Sequence, residues 1–199
     1  MCCLQCNDSR ITLGDIVGVI GCGFAGQVIM QCAKLIGASQ VMAIDPSPYK
    51  LEIAKKMGAD VLLNPQKKDI REKIFAITKN KGVDVVVEAA GSENSMILAT
   101  DITARNGKIV LYSWITENIN LNISRWHDDG IDIITTGLVH HTVQERFVWS
   151  QKALRVIAQK QVKIDPLITK TYSLENIQEA FEEVVRESST PIIKAIIRP

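Results

Sequence analysis

The sequence predicts an α/β fold, a doubly wound parallel sheet with helices on both faces. Three observations lead there. Short apolar runs alternate with helix-periodic segments along most of the chain. The run Val83–Glu88 is a near-continuous stretch of valine, as expected for a strand buried on both faces. A glycine turn, Gly21-Cys22-Gly23-Phe24-Ala25-Gly26, joins the first apolar run to the first helix-like segment.

The elements follow in order. Ile16–Ile20 reads as the first strand, and residues 26–36 as a helix stopped near Gly37. Residues 41–45 form a second strand, and residues 48–57 a helix stopped at Gly58. Val61–Leu63 is a short third strand. Residues 70–78 are a helix with Ile70, Ile74, Phe75 and Ile77 on its apolar side. After the fourth strand, Val83–Glu88, come a helix over 92–104, a fifth strand over 108–112 and a sixth over 131–136. Six strands in this rhythm fit the order 3-2-1-4-5-6, the Rossmann arrangement, whose ligands bind at the carboxyl ends of the strands near the switch point between strands one and four. The alternation stops after His141. A long helix over 143–159, the stretch Pro166-Leu167-Ile168-Thr169, a helix over 174–186 and an apolar run over 192–197 look like part of a second lobe.

The glycine turn carries the chemistry. Gly21 permits a tight turn, Gly23 lets backbone approach a pyrophosphate, and Gly26 lets the helix lie against the sheet. The helix N-terminus offers free N–H groups and a partial positive charge to a phosphate. Asp45 ends the second strand at the distance expected of a carboxylate that accepts both hydroxyls of an adenosine ribose, roughly 20 residues on. A carboxylate repels a 2′-phosphate, and no Arg follows to receive one, so NAD is favoured. Lys50 lies close enough in sequence to leave NADP open.

Composition sets limits. The chain has 199 residues, 46% of them hydrophobic, enough for one full domain with an appendage. A net charge of +1 gives no footprint for nucleic acid or an anionic membrane. No apolar run approaches the roughly 20 residues of a membrane helix. The N-terminus lacks the basic and apolar regions of a signal peptide. A cytoplasmic protein with free thiols at its five cysteines is therefore expected. Cys2, Cys3 and Cys6 cluster, yet no second Cys or His pair follows to complete a tetrahedral zinc site, so no metal site is expected in this chain. Cys22 and Cys32 are expected to act as small packing groups. His127, His140 and His141 form no HExxH or Ser-His-Asp pattern.

Residues 13–199 resemble the medium-chain dehydrogenase superfamily, and most of all its zinc-type alcohol, polyol and threonine dehydrogenases. The resemblance runs through Leu13-Gly14-Asp15-Ile16-Val17, the glycine turn, Ala33-Lys34-Leu35-Ile36-Gly37-Ala38 and Asp45 with Lys50. It continues through Ala54-Lys55-Lys56-Met57-Gly58-Ala59-Asp60, Asn64-Pro65, Gly82-Val83-Asp84-Val85-Val86-Val87-Glu88, Gly91-Ser92 and Gly107-Lys108-Ile109-Val110. Pro166-Leu167-Ile168-Thr169, Ala180-Phe181-Glu182 and Lys194 complete it.

The resemblance implies roles. Phe24 and Ala25 would face the pyrophosphate and the back of the nicotinamide, with Ala25 smaller than the usual Val or Ile. Asp45 would bind the adenosine ribose with Lys50 nearby. Ala89, Ala90 and Gly91 would line the adenine and ribose region. Backbone at Tyr112-Ser113-Trp114 and Leu138-Val139-His140 would hold the carboxamide end. The family usually has Gly where Ser113 stands, and Tyr112 and Trp114 are bulkier than usual. Lys194 matches a basic position near the pyrophosphate, a solvated lysine on a closing strand being the other reading. The family's catalytic zinc sits on an N-terminal lobe with a Gly-His-Glu motif, for which this sequence has no match. Residues 1–12 would be a remnant of the interlobe helix, 13–141 the NAD-binding domain, and 142–199 a C-terminal segment of the catalytic lobe.

The expectation is thus the cofactor-binding part of an NAD-dependent alcohol or polyol dehydrogenase, with little turnover alone and zinc only in the other lobe. A non-catalytic NAD(H)-binding module or partner subunit, a zinc-free quinone reductase relative and a transferase using S-adenosylmethionine are the alternatives. Family dimers often join through strand six, and Ile131, Ile133 and Ile134 there have only Asp132 as charge protection, so a homodimer through residues 131–136 is expected.

Overall fold

The computed structural model describes residues 10–137, 142–186 and 192–199. A six-stranded, all-parallel sheet runs in the order β3-β2-β1-β4-β5-β6. Its strands are β1 (Ile16–Ile20), β2 (Gln40–Ile44), β3 (Val61–Leu63), β4 (Val83–Glu88), β5 (Thr103–Leu111) and β6 (Asp132–Thr135). The crossovers carry α1 (Phe24–Ile36), α2 (Pro48–Lys56), α3 (Ile70–Ile77), α4 (Glu93–Ile102) and the short α5 (Ser124–Asp128). This is the doubly wound Rossmann order that the sequence predicts.

Side-chain alternation divides the core. Val17, Val19, Val85 and Val87 face one side, with Val28 and Ile29 of α1 and Leu51 of α2. Ile20, Met42, Ile44, Val86 and Ile109 face the other, with Ile74 of α3 and Leu98 and Ile102 of α4. In β4 both faces are dry: Val83, Val85, Val86 and Val87 are all buried. That is why its sequence is a valine run and not an alternation.

Local signals stop and start the helices. α1 ends at Gly37, whose left-handed φ of 104° lets its N–H reach back to the Ala33 and Lys34 carbonyls. Ser47 caps α2, with Pro48 at its first position. Ser92 and Ser95 form a reciprocal capping box on α4.

Several boundaries differ from the sequence reading. β5 begins at Thr103, where it pairs with Val83, and a register shift follows before Lys108 meets Val85. Thr103 ends α4 with its hydroxyl donating to the Ala99 carbonyl. Tyr112 leaves the strand because its N–H and that of Ser113 share one acceptor, the Glu88 carbonyl. β6 is shorter than expected, spanning Asp132–Thr135.

The C-terminal part has α6 (Val143–Ala158), α7 (Ile177–Val185) and a two-stranded parallel sheet of β7 (Lys170–Ser173) and β8 (Ala195–Arg198). The expected helix over 174–186 splits into a 3-10 turn, Leu174–Asn176, and α7. Val162, Leu167 and Ile193 join the core on the α1 side. Gln31 of α1 clips this segment in place: its Nε2 donates to the Lys163 carbonyl at 3.1 Å and its Oε1 accepts from the Lys163 N–H at 2.7 Å. No described helix is long and apolar enough to cross a membrane.

Candidate functional site

The glycine turn crosses the carboxyl edge of the sheet between β1 and α1. Gly21 extends the sheet, its N–H donating to the Ile44 carbonyl at 2.9 Å. Its φ is +98°, and a Cβ there would lie 2.8 Å from the Ala89 carbonyl. Gly26 is tighter: a Cβ would come within 1.9 Å of the Gly21 carbonyl oxygen. Gly23 is the opposite case. It has an ordinary φ of −69°, and a Cβ there would meet nothing within 4 Å. Gly21 and Gly26 are thus glycines for internal packing, whereas Gly23 leaves an open approach on the outer side of the turn.

That approach lies at the N-terminus of α1, which Gly23 caps without a side-chain hydrogen bond and whose first turn carries no acid. The amides at Phe24, Ala25 and Gly26 have no carbonyl four residues back within the helix, so this end suits an anion. Lys194, just before β8, brings its ammonium 5.3 Å from the centre of the Phe24 ring. The C-terminal segment therefore returns a positive charge to the glycine turn.

Asp45 is buried at the end of β2. Its Oδ2 accepts from the Cys22 N–H and its Oδ1 from the Ser47 N–H, both at 2.8 Å. The sequence suggested a carboxylate aimed at ribose hydroxyls. The structure shows it bracing the turn and the start of α2, with each oxygen retaining a second lone pair. Lys50 stands in the first turn of α2, its N–H donating to the Ser47 hydroxyl. Its charge acts on Cys22 from there. Cys22 itself is a buried free thiol pushed up from its ordinary 9.0 to about 12, chiefly by burial and then by the charge of Asp45. It is a packing group rather than a nucleophile.

Beside Asp45 a cleft of about 690 Å³ opens over Ile20 and Ile44. Gly21, Asp45, Ala90 and Ser92 form one side, and Pro46, Pro65 and Ile97 give it apolar walls. Lys67, Lys68 and Arg71 line the far side, Arg71 being paired with Asp101. Of the three predicted lining residues, Ala90 faces this cleft. Ala89 abuts Gly21, and Gly91 packs toward Ser113. Lys50 does not line it.

Sequence reasoning passed over Glu88 as the last residue of a strand. It is fully buried. Its Oε1 accepts from the Ala90 and Gly91 N–H groups, both at 2.8 Å, and its Oε2 accepts from the Ser113 hydroxyl. One carboxylate thus ties the loop after β4 to the loop after β5. Ser113 is the partner of this acid, while Tyr112 packs half-buried against the core. Trp114 stays exposed. The signal was an acid ending a valine run just before Gly91. Leu138, Val139 and His140 lie outside the described residues, as do Cys2, Cys3 and Cys6.

Among the described residues no three His, Cys, Asp or Glu gather as a metal ion requires. These residues therefore do not fit a catalytic zinc. They do fit a dinucleotide: an open glycine, an uncapped helix end and a buried carboxylate stand on adjacent elements.

Comparison with known proteins places the fold in a family. The model of the zinc-binding dehydrogenases matches residues 25–158, more than half of the chain. The chain belongs to this family of oxidoreductases. Sorbitol dehydrogenase of Bacillus subtilis (strain 168) is 30% identical over 192 residues, which cover 96% of this chain and 52% of that protein. L-Idonate 5-dehydrogenase of Escherichia coli superposes with a TM-score of 0.85 at 23% identity, over 99% of this chain and 54% of that one. A dehydrogenase of Sinorhizobium meliloti 1021, solved bound to NADP, gives 0.83 at 24%, over 100% and 56%. The chain spans about half the length of the curated relatives it matches.

Proposed function

We propose that this chain is the NAD(H)-binding part of an alcohol or polyol dehydrogenase. The pyrophosphate would lie against Gly23, Phe24 and Ala25 at the start of α1, with Lys194 alongside. Asp45 would accept the adenosine ribose hydroxyls on its remaining lone pairs, and adenine would enter the cleft over Ile20 and Ile44. The nicotinamide would reach toward the loops that Glu88 joins, near Gly91, Tyr112 and Ser113. There a secondary alcohol would give a hydride to the nicotinamide and a proton to a base, leaving as the ketone. The observation that carries this reading is the open side of Gly23 beside an uncapped, acid-free helix end.

Two further points belong to the proposal. This chain alone binds the cofactor without turning over alcohol, in keeping with its match to about half of each relative. Copies pair through the edge strand β6, whose Ile133 and Ile134 are only partly covered. A sedimentation run that finds only monomer at high concentration sinks the pairing.

A second reading has one observation in its favour. Lys67 and Lys68 line the cleft next to Asp45, where a 2′-phosphate would sit. NADPH would then bind as well as NADH. Titration with NADH, NADPH and S-adenosylmethionine, followed by fluorescence or calorimetry, separates the cases. Saturable NADH binding that Asp45→Ala weakens supports the first reading. Preference for NADPH, lost in Lys67→Ala/Lys68→Ala, supports the second, and preference for S-adenosylmethionine removes both.

A further inference from the structure

Gln27 is a fully buried amide in the first turn of α1. Its Nε2 donates to the Cys22 carbonyl and to the Lys50 carbonyl, both at 3.0 Å. Two acceptors on one side fix the amide's orientation, and its Oε1 has no partner among the described residues. Burying such a group against the sheet costs stability relative to an apolar side chain of the same shape. Packing therefore gives no account of a glutamine here.

Backbone geometry does. The chain has no cis peptide among the described residues, so the Cys22 C=O and the Gly23 N–H point in opposite directions across one planar unit. Holding the carbonyl toward Gln27 turns the Gly23 N–H away from it, at a residue where an added Cβ would also meet nothing. The preceding peptide is fixed separately, through the Cys22 N–H on Asp45. We infer that Gln27 is a positioning residue: it aims the Gly23 N–H at a ligand phosphate and ties the turn to the first turn of α2 through Lys50. The ligand in this statement rests on the dinucleotide reading; the peptide orientation does not.

Gln31 supplies the control. It lies one turn further along the same helix, is also buried, and bonds Lys163 and the Gln27 main-chain carbonyl, with no bond to residues 21–26. The experiment compares the wild-type chain with Gln27→Met, Gln27→Glu and Gln31→Met. It reads NADH affinity, thermal unfolding and hydrogen exchange of residues 21–26. Gln27→Met keeps the volume and removes both donated bonds, so NADH binding weakens roughly tenfold and the turn exchanges faster. Gln31→Met lowers the melting temperature and leaves both turn readouts unchanged. In Gln27→Glu a neutral carboxyl can donate one bond, so affinity and protection recover as the pH is lowered. A packing role gives no such profile.

Unchanged affinity and exchange in Gln27→Met overturn the inference, as does equal weakening in Gln31→Met. Should Gln27→Met fail to fold, the Gln27→Glu profile decides, and a flat one counts against the proposal. If the wild-type chain binds no NADH, the cofactor reading fails by itself. Turn exchange in Gln27→Met then still decides whether Gln27 holds the peptide: faster supports it, unchanged overturns it.

Discussion

The helix after the glycine turn and the helices of the C-terminal part make opposite use of apolar residues. α1 buries a continuous stretch from Gly26 to Ala33. α6, longer by three residues, buries only Ala153, and leaves Val143, Phe147 and Leu154 exposed. On α7, Phe181 and Val184 are exposed as well. The first region is held within this chain: Asp45 and Gln27, the side chains that shape the turn, both bond its backbone. The second presents apolar surface of the kind that marks contact with further protein. The glycine turn is thus held by bonds and packing within this chain, whereas α6 and α7 leave apolar side chains uncovered.

The comparison breaks most sharply at Gly26. Placing a Cβ at 1.9 Å from the Gly21 oxygen forces backbone apart, so Gly26→Ala should cost about 3 kcal/mol or more in urea unfolding. A loss under about 1 kcal/mol would show that the turn has slack that the packing denies. Glu88→Ala should come next. It strands two backbone amides and the Ser113 hydroxyl, at a cost of about 2–3 kcal/mol, while Ser113→Ala removes one bond and should cost about 1 kcal/mol. Equal losses in the two variants would mean that Glu88 does not join the loops.

Two smaller effects sharpen the contrast. The raised pKa of Cys22 favours the folded state below its ordinary 9.0, and that contribution is lost as the pH rises toward 12. Cys22→Ala should therefore flatten the alkaline fall in stability, and native Cys22 should resist alkylation at pH 8. Rapid labelling without unfolding would show an open turn. On the other region, Phe181→Ser should change stability by no more than about 0.5 kcal/mol, since the ring is exposed. It should also reduce self-association at high concentration. A large loss of stability would mean that α7 finds its partner within the chain.

The sheet was legible because its central strands are uniform in kind. Val83–Glu88 is dry on both faces and reads as strand whatever surrounds it. The turn was legible because Gly21 and Gly26 each answer a local steric demand and Asp45 the bonding needs of nearby backbone. Less was legible where one side chain serves distant backbone. Glu88 read only as a strand end and Gln27 only as part of the first helix, since the Ser113 hydroxyl and the Lys50 carbonyl that they also hold are distant in sequence. The start of β5 was missed because pairing with Val83 overrides the helical pattern before it. The split before α7 carries no Gly or Pro to announce it.

Gly23→Ala tests the account most directly, with NADH titration and thermal unfolding measured on the same sample. The backbone at Gly23 suits alanine, and the added methyl meets nothing in the protein. The account predicts a melting temperature close to that of the wild-type chain and NADH affinity weakened at least tenfold, since the methyl occupies the phosphate's approach. Unchanged NADH affinity in a stable Gly23→Ala chain would contradict it, and would place any dinucleotide away from this turn.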